Sequence, residues 1–172
     1  MQRIALVLPN QVRDIKKAAR RADMDFTEAF FDEERFAQAV EERRAYVLKD
    51  GLKVLSLASF SFFPLEEIYG NDIPRQNDLL DQIGYYGEPL LFLESIFTDP
   101  FYKRKGNAKA LFLSLVSSHK EATWLALLPS SRLSLLPFFQ AIGFKPYDYG
   151  KDGALILIRK KEKEGLCANP SF

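Results

Sequence analysis

One stretch limits the possible folds more than any other. Residues 89–129 read PLLFLESIFTDPFYKRKGNAKALFLSLVSSHKEATWLALLP. They form an apolar strand ending at Asp99-Pro100, a short cationic loop around Gly106, a strongly apolar helix and a second apolar strand. A strand, helix and strand in that order, all apolar enough to be buried, make a crossover unit whose strands run parallel in one sheet. Apolar residues on both faces of 89–100 put that strand inside the sheet, not at its edge.

The flanking segments complete an α/β pattern. RIALVLP (3–9) reads as a strand, and QVRDIKKAARRA (11–22) as a helix with Val12, Ile15, Ala19 and Ala22 on one face and Asn10 as N-cap. Residues 23–45 begin acidic and become helical from about Asp32, with Phe36 and Val40 sharing a face. In 45–64, two apolar runs flank Asp50-Gly51, the pair favoured by a tight hairpin turn. The connection 64–88 is rich in Gly, Pro, Asn and Asp; it allows a short helix near 75–83, and its length marks it as functional or mobile, with Tyr69, Tyr85 and Tyr86 suited to a lid. SSRLSLLPFFQAIG (130–143) reads as a helix that is kinked or starts late at Pro137 and closes at Gly143. FKPYDYG and GALILIRKK form a last strand pair. This order predicts one mixed α/β domain over 1–161, with about seven mostly antiparallel strands and about four helices, and a C-terminal tail over 162–172.

Composition excludes several function classes. The net charge is +1, so the field of the whole molecule gives no reason to expect a nucleic-acid partner. One cysteine, Cys167, and one histidine, His119, cannot build an internal disulfide or a His/Cys metal site, and no metal is expected. The N-terminal apolar run is too short for a signal peptide, and no run approaches the roughly 20 residues that span a bilayer. A soluble cytoplasmic protein with no membrane partner is expected, as a monomer or homodimer.

Against this near-neutral background, Lys103, Arg104, Lys105 and Lys109 cluster around Gly106. The first turn of a helix presents unpaired N–H groups and the positive end of the dipole, and a glycine lets a ligand approach the backbone. That combination suits an anion, above all a phosphate. Cations at a helix N-terminus are unfavourable without one. The alternative is a solvated basic loop. A Walker loop and a Rossmann fingerprint both need glycines that are absent here.

With strand, loop and helix placed, the residues resemble the GNAT-type N-acetyltransferases. In that family the cofactor loop reads Arg/Gln-x-x-Gly-x-Gly/Ala after a strand ending near a proline. Here Lys103 takes the first position, Gly106 the first glycine and Ala108 the second. A second motif, an aromatic-rich helix closed by Gly-Phe, matches SRLSLLPFFQAIGF with Gly143-Phe144. The resemblance implies a sheet splayed at the cofactor site and acetyl-CoA as acyl donor. Backbone N–H groups of Arg104, Lys105, Gly106, Asn107, Ala108 and Lys109 would hold its pyrophosphate, and the strand edge at Ile96, Phe97 and Thr98 its pantetheine amides. Ser131, Arg132 and Phe139 fall at further cofactor-contacting positions.

The implied reaction is direct attack of an amine on the acetyl carbonyl, helped by a general base. Glu94 is the candidate, sharing the parity of Phe92, Ile96 and Thr98; its alternative role is a structural glutamate paired with a cation. Glu88 is a weaker candidate. Phe139 stands where many family members have a tyrosine that protonates the leaving thiolate, so the acid would be Tyr147, Tyr149 or water. His119 suits a helix C-terminus, and Trp124 and the Phe run 60–63 suit the core. Acidic residues in 23–34 (Asp23, Asp25, Glu28, Asp32, Glu33, Glu34) and in 64–88 (Glu66, Glu67, Asp72, Asp78, Asp81, Glu88) either draw in a cationic amine or are solvated faces. The acceptor is expected to be a primary amine of a small molecule or peptide. The runner-up functions are a non-catalytic acyl-CoA-binding or regulatory domain of the same fold and a ligand-free interaction domain.

Overall fold

A computed structural model describes residues 1–24, 31, 33–62, 65–102, 106–150 and 152–161. Lys103, Arg104 and Lys105 lie outside the described residues, as do Asp25, Glu28, Asp32 and the tail 162–172.

Seven strands form one sheet in the order β1-β2-β3-β4-β5-β7-β6. They are β1 (Gln2–Leu6), β2 (Ala45–Asp50), β3 (Lys53–Phe62), β4 (Leu90–Thr98), β5 (Thr123–Leu128), β6 (Lys145–Tyr149) and β7 (Leu155–Arg159). Among the described residues only the β4–β5 pair is parallel, joined through helix α5 (Asn107–Ser118) as the crossover pattern requires. The other neighbours are antiparallel.

Helices cover both faces. On one, α5 and α6 (Leu136–Ala141) bury Leu111, Phe112, Leu115 and Phe139 against Phe60, Leu93, Ile96 and Trp124. On the other, α1 (Val12–Met24) and α2 (Glu33–Glu41) pack Ile15, Phe36 and Val40 on Leu57 and Phe97. There too α3 (Glu66–Tyr69) and α4 (Ile73–Ile83) set Ile68, Tyr69 and Leu79 on Phe92, Leu125 and Ile156. No helix among the described residues is long and apolar enough to cross a membrane.

Several local expectations need correcting. Asn10 does not cap α1; it sits inside a 3-10 turn, Pro9–Gln11, that leads into the helix. The hairpin register pairs Asp50 with Lys53, so the two turn residues are Gly51 and Leu52, and Gly51 takes the positive φ of +60°. The described part of the 64–88 connection is not a plain loop, because it contains two helices. Asp72 caps α4 by accepting the Arg75 N–H at 3.2 Å, and Gly84 closes it in the left-handed region. An N-cap Asp, a Pro in the first turn and a closing Gly were all present in NDIPRQNDLLDQIG, and they are a helix signature. Tyr69 is 5% exposed and belongs to the core, with the Arg75 guanidinium 4.5 Å from its ring centroid. Of the Phe run, Phe60 is buried and Phe62 is 66% exposed.

Candidate acyl-CoA site

The parallel pair β4–β5 is short. Register holds for Leu90–Thr123, Leu91–Trp124 and Phe92–Leu125 and then ends, although β4 runs on to Thr98 and β5 to Leu128. A wedge-shaped gap therefore opens in the middle of the sheet. On its β4 side, the Asp99 N–H bonds to the Leu55 carbonyl at 2.9 Å, with Phe97 opposite Leu57 and Ser95 opposite Ser59. Bonded pairs alternate with unbonded ones along an antiparallel ladder. The backbone groups of Phe97 thus face β3, and those of Ile96 and Thr98 point into the gap. The side chains of all three are buried, and Thr98 Oγ1 bonds Ser56 Oγ at 2.9 Å.

At the mouth of the gap, β4 passes through Asp99 and a 3-10 turn, Pro100–Tyr102, toward α5. Gly106 is the N-cap of α5, with φ 70° and ψ 19°, and contributes no capping side chain. A Cβ placed there would find no atom within 4 Å. The first intrahelical bond, Ala110 N–H to Gly106 O, is 2.9 Å long, and the N–H groups ahead of it have no partner within the helix. Ala108 is buried against the sheet and Lys109 is exposed. Beyond β5, on the far side of the gap, Ser131 and Arg132 lie in a 3-10 segment, Ser130–Leu135. Phe139 is fully buried, its ring tilted edge-on to Phe144.

Glu94 is where the sequence reading missed a feature. Between Ser59–Ser95 and Phe60–Leu93 the register advances one residue on β3 and two on β4. Glu94 is the extra residue of a β-bulge, which shifts side-chain parity along the strand. Phe92 and Ile96, expected on one face, lie on opposite faces. Glu94 is 3% exposed and reaches the α2 side, with Arg35 Nη1 at 3.9 Å and Arg44 Nη1 at 4.0 Å. Arg44 is itself buried, held by Glu42 at 2.6 Å and by the Phe60 carbonyl. Burial favours a neutral carboxyl, whereas two guanidinium groups favour the carboxylate. No spacing pattern in the sequence links these arginines to Glu94; the bulge and the packing of α2 bring them together.

The remaining candidates lie apart from the gap. Glu88, 8% exposed, accepts the Tyr86 N–H at 2.7 Å near the start of β4. Tyr147 and Tyr149 are on the edge strand β6, separated from the gap by β7 and β5. Tyr147 lines a groove of about 490 Å³ with Gln82, Lys145 and Arg159. Burial, and then the nearby Asp78 and Asp148, raise its phenol above the usual tyrosine range. His119 ends α5, with Nδ1 2.9 Å from Leu115 O, and Trp124 is fully buried. Asp78 and Asp81 lie on the exposed face of α4, and Glu33 pairs with Arg20 at 3.1 Å.

No protein-family model matches the sequence, and no curated protein matches it significantly. Solved structures do. A GNAT-family acetyltransferase from Streptococcus agalactiae aligns with a TM-score of 0.65 over 94% of this chain and 96% of its own, at 14% identity. The ribosomal-protein-S18-alanine N-acetyltransferase of Escherichia coli aligns at 0.62 over 96% and 99%, with 18% identity. The PaiA N-acetyltransferase of Thermoplasma acidophilum, solved in complex with coenzyme A, aligns at 0.65 over 93% and 99%, with 10% identity. The chain has the GNAT acetyltransferase fold.

Proposed function

We propose that this protein is an N-acetyltransferase that moves an acetyl group from acetyl-CoA to a primary amine of a small molecule or peptide. The observation that carries the reading is the gap between β4 and β5, open beyond Phe92–Leu125 with the Gly106-led end of α5 at its mouth. A pantetheine arm is an extended diamide. It matches a strand edge that offers the backbone groups of Ile96 and Thr98, much as an added strand would. The N–H groups of Gly106, Asn107, Ala108 and Lys109 receive the pyrophosphate, assisted by the cations of Lys103, Arg104 and Lys105. Ser131, Arg132 and Phe139 are assigned to the cofactor from the far side of the gap. The thioester supplies an activated acyl carbon, and the chain's own task is to orient it and to take a proton from the amine. Glu94, on the bulge of the same strand, takes that proton. With Phe139 in place of a tyrosine, the leaving thiolate is protonated by water or leaves as the anion.

The test is a thiol-release assay with acetyl-CoA against a panel of primary amines, comparing the wild type with Glu94→Gln. Turnover with at least one amine is expected, with a loss of about 100-fold or more in kcat for the variant and little change in CoA affinity. Full activity of Glu94→Gln across pH would remove Glu94 from the role. The pairing of Glu94 with Arg35 and Arg44 favours a second reading, an acyl-CoA-binding domain without turnover, in which Glu94 is structural. CoA binding by calorimetry without turnover of any amine would select it.

A further inference from the structure

Asn107 is the middle residue of the Gly-Asn-Ala triplet that opens α5, a position where any polar residue could point to solvent. Instead it is 5% exposed, and its Nδ2 donates to the Tyr102 carbonyl at 3.1 Å. These two residues bracket the loop: Tyr102 ends the 3-10 turn before it, and Asn107 is the first residue of the helix after it. The side-chain amide therefore ties the end of the 3-10 turn to the start of α5.

The entry side is fastened as firmly. Asp99 is 8% exposed; its Oδ1 accepts the Phe101 N–H at 3.0 Å and its Oδ2 accepts Arg21 Nη2 from α1 at 3.3 Å. The Tyr102 N–H returns to the Asp99 carbonyl at 2.8 Å. Bonds thus run from β3 through Asp99 and Tyr102 to Asn107. The need for such a tie follows from Gly106. A glycine permits the left-handed turn that aims the first helical N–H groups outward, but it is also the residue with the most backbone freedom to lose. A donor that grips a carbonyl across the loop restores the order that glycine gives up. An aspartate would have no N–H for the Tyr102 carbonyl and would place a negative charge beside the anion.

We propose that Asn107 is a positioning residue whose side chain presets the first-turn N–H groups of α5 for the pyrophosphate of acyl-CoA. This rests on the acyltransferase reading above. In Asn107→Ala, CoA affinity by calorimetry should fall about five- to tenfold, the weight of one buried hydrogen bond, with KM for acetyl-CoA rising in step and kcat unchanged. S-acetyl-pantetheine lacks the pyrophosphate, so its kcat/KM should be the same in variant and wild type. Equal loss with both thioesters, or undiminished CoA affinity, would overturn the proposal. A wild type that binds no CoA would instead defeat the acyltransferase reading on which it stands. If the alanine variant does not fold, Asn107→Asp preserves the size and removes the donor. Hydrogen exchange in the ligand-free protein should then quicken over 102–110 and stay unchanged over 155–159; unchanged exchange over 102–110 would equally overturn it.

Discussion

At the scale of single residues, Gly106 separates two explanations of the same basic stretch. If the cations did the binding, a change at Gly106 would matter only through the fold. If the peptide groups bind, its side-chain position must stay empty. A Cβ there meets nothing within 4 Å, so Gly106→Ala introduces no clash, only the strain of φ 70°. That strain costs about 1 kcal/mol, visible as a small drop in melting temperature. Loss of CoA affinity should be far larger than this strain explains, and Gly106→Glu, which adds a like charge, should abolish binding. Lys105→Ala should only weaken binding and make it less dependent on salt. The reverse ranking in calorimetry would restore the basic-patch reading. Gly106 and the start of α5 were legible because their signals are local: a strand that ends just before Pro100, one glycine, an apolar helix. The roles of Arg35 and Arg44 were not, because they meet Glu94 only through strand register and the packing of α2.

Among the elements, the connection between β3 and β4 shows how composition can mislead. Gly, Pro, Asn and Asp mark loops, but here they cap and start helices, and Ile68, Tyr69, Leu79 and Ile83 among them face the sheet. Arg75 of α4 fastens this insertion to the edge of the sheet: its Nη2 donates to Asp148 Oδ2 of β6 at 2.8 Å and to the Tyr149 carbonyl. Its guanidinium also covers Tyr69, whose phenol is pushed up to about 12, first by burial and then by Asp148 and Tyr147. The hydrogen bond from Arg75 holds the Asp148 carboxyl below its ordinary range. A carboxyl depressed in the folded state stabilises above its unfolded pKa of about 4 and loses that contribution as pH falls through the folded value. Arg75→Ala should therefore lower the melting temperature modestly at neutral pH, less in high salt. The gap to the wild type should close below about pH 4. A difference that persists unchanged well below that pH would assign the effect to the Tyr149 carbonyl bond and the packing on Tyr69 instead of to Asp148. The two edge strands are β1 and β6, and this clasp engages the second.

For the whole molecule, the main question is why a sheet should part in its middle. Helices on both faces hold the two halves, with β1 to β4 on one side and β5, β7 and β6 on the other, while only three residue pairs join them. Each half has its own antiparallel ladder, so the gap costs only the bonds that β4 and β5 would have made to each other. A ligand that lies along β4 restores some of these, and its binding should appear as added stability. At a CoA concentration 100 times Kd the gain is about 2.7 kcal/mol, or roughly 5–10 °C in melting temperature for a chain of this size. Register makes the expectation residue-specific. The Phe97 amide faces β3 and should resist hydrogen exchange with or without CoA. The amides of Ile96 and Thr98 face the gap and should become protected only when CoA is bound. Residue-resolved exchange by NMR distinguishes this from general tightening, which would slow all three together. If Ile96 and Thr98 exchange at the same rate with CoA saturating, the pantetheine arm does not run along β4, and the acceptor and base would have to be placed around a different path.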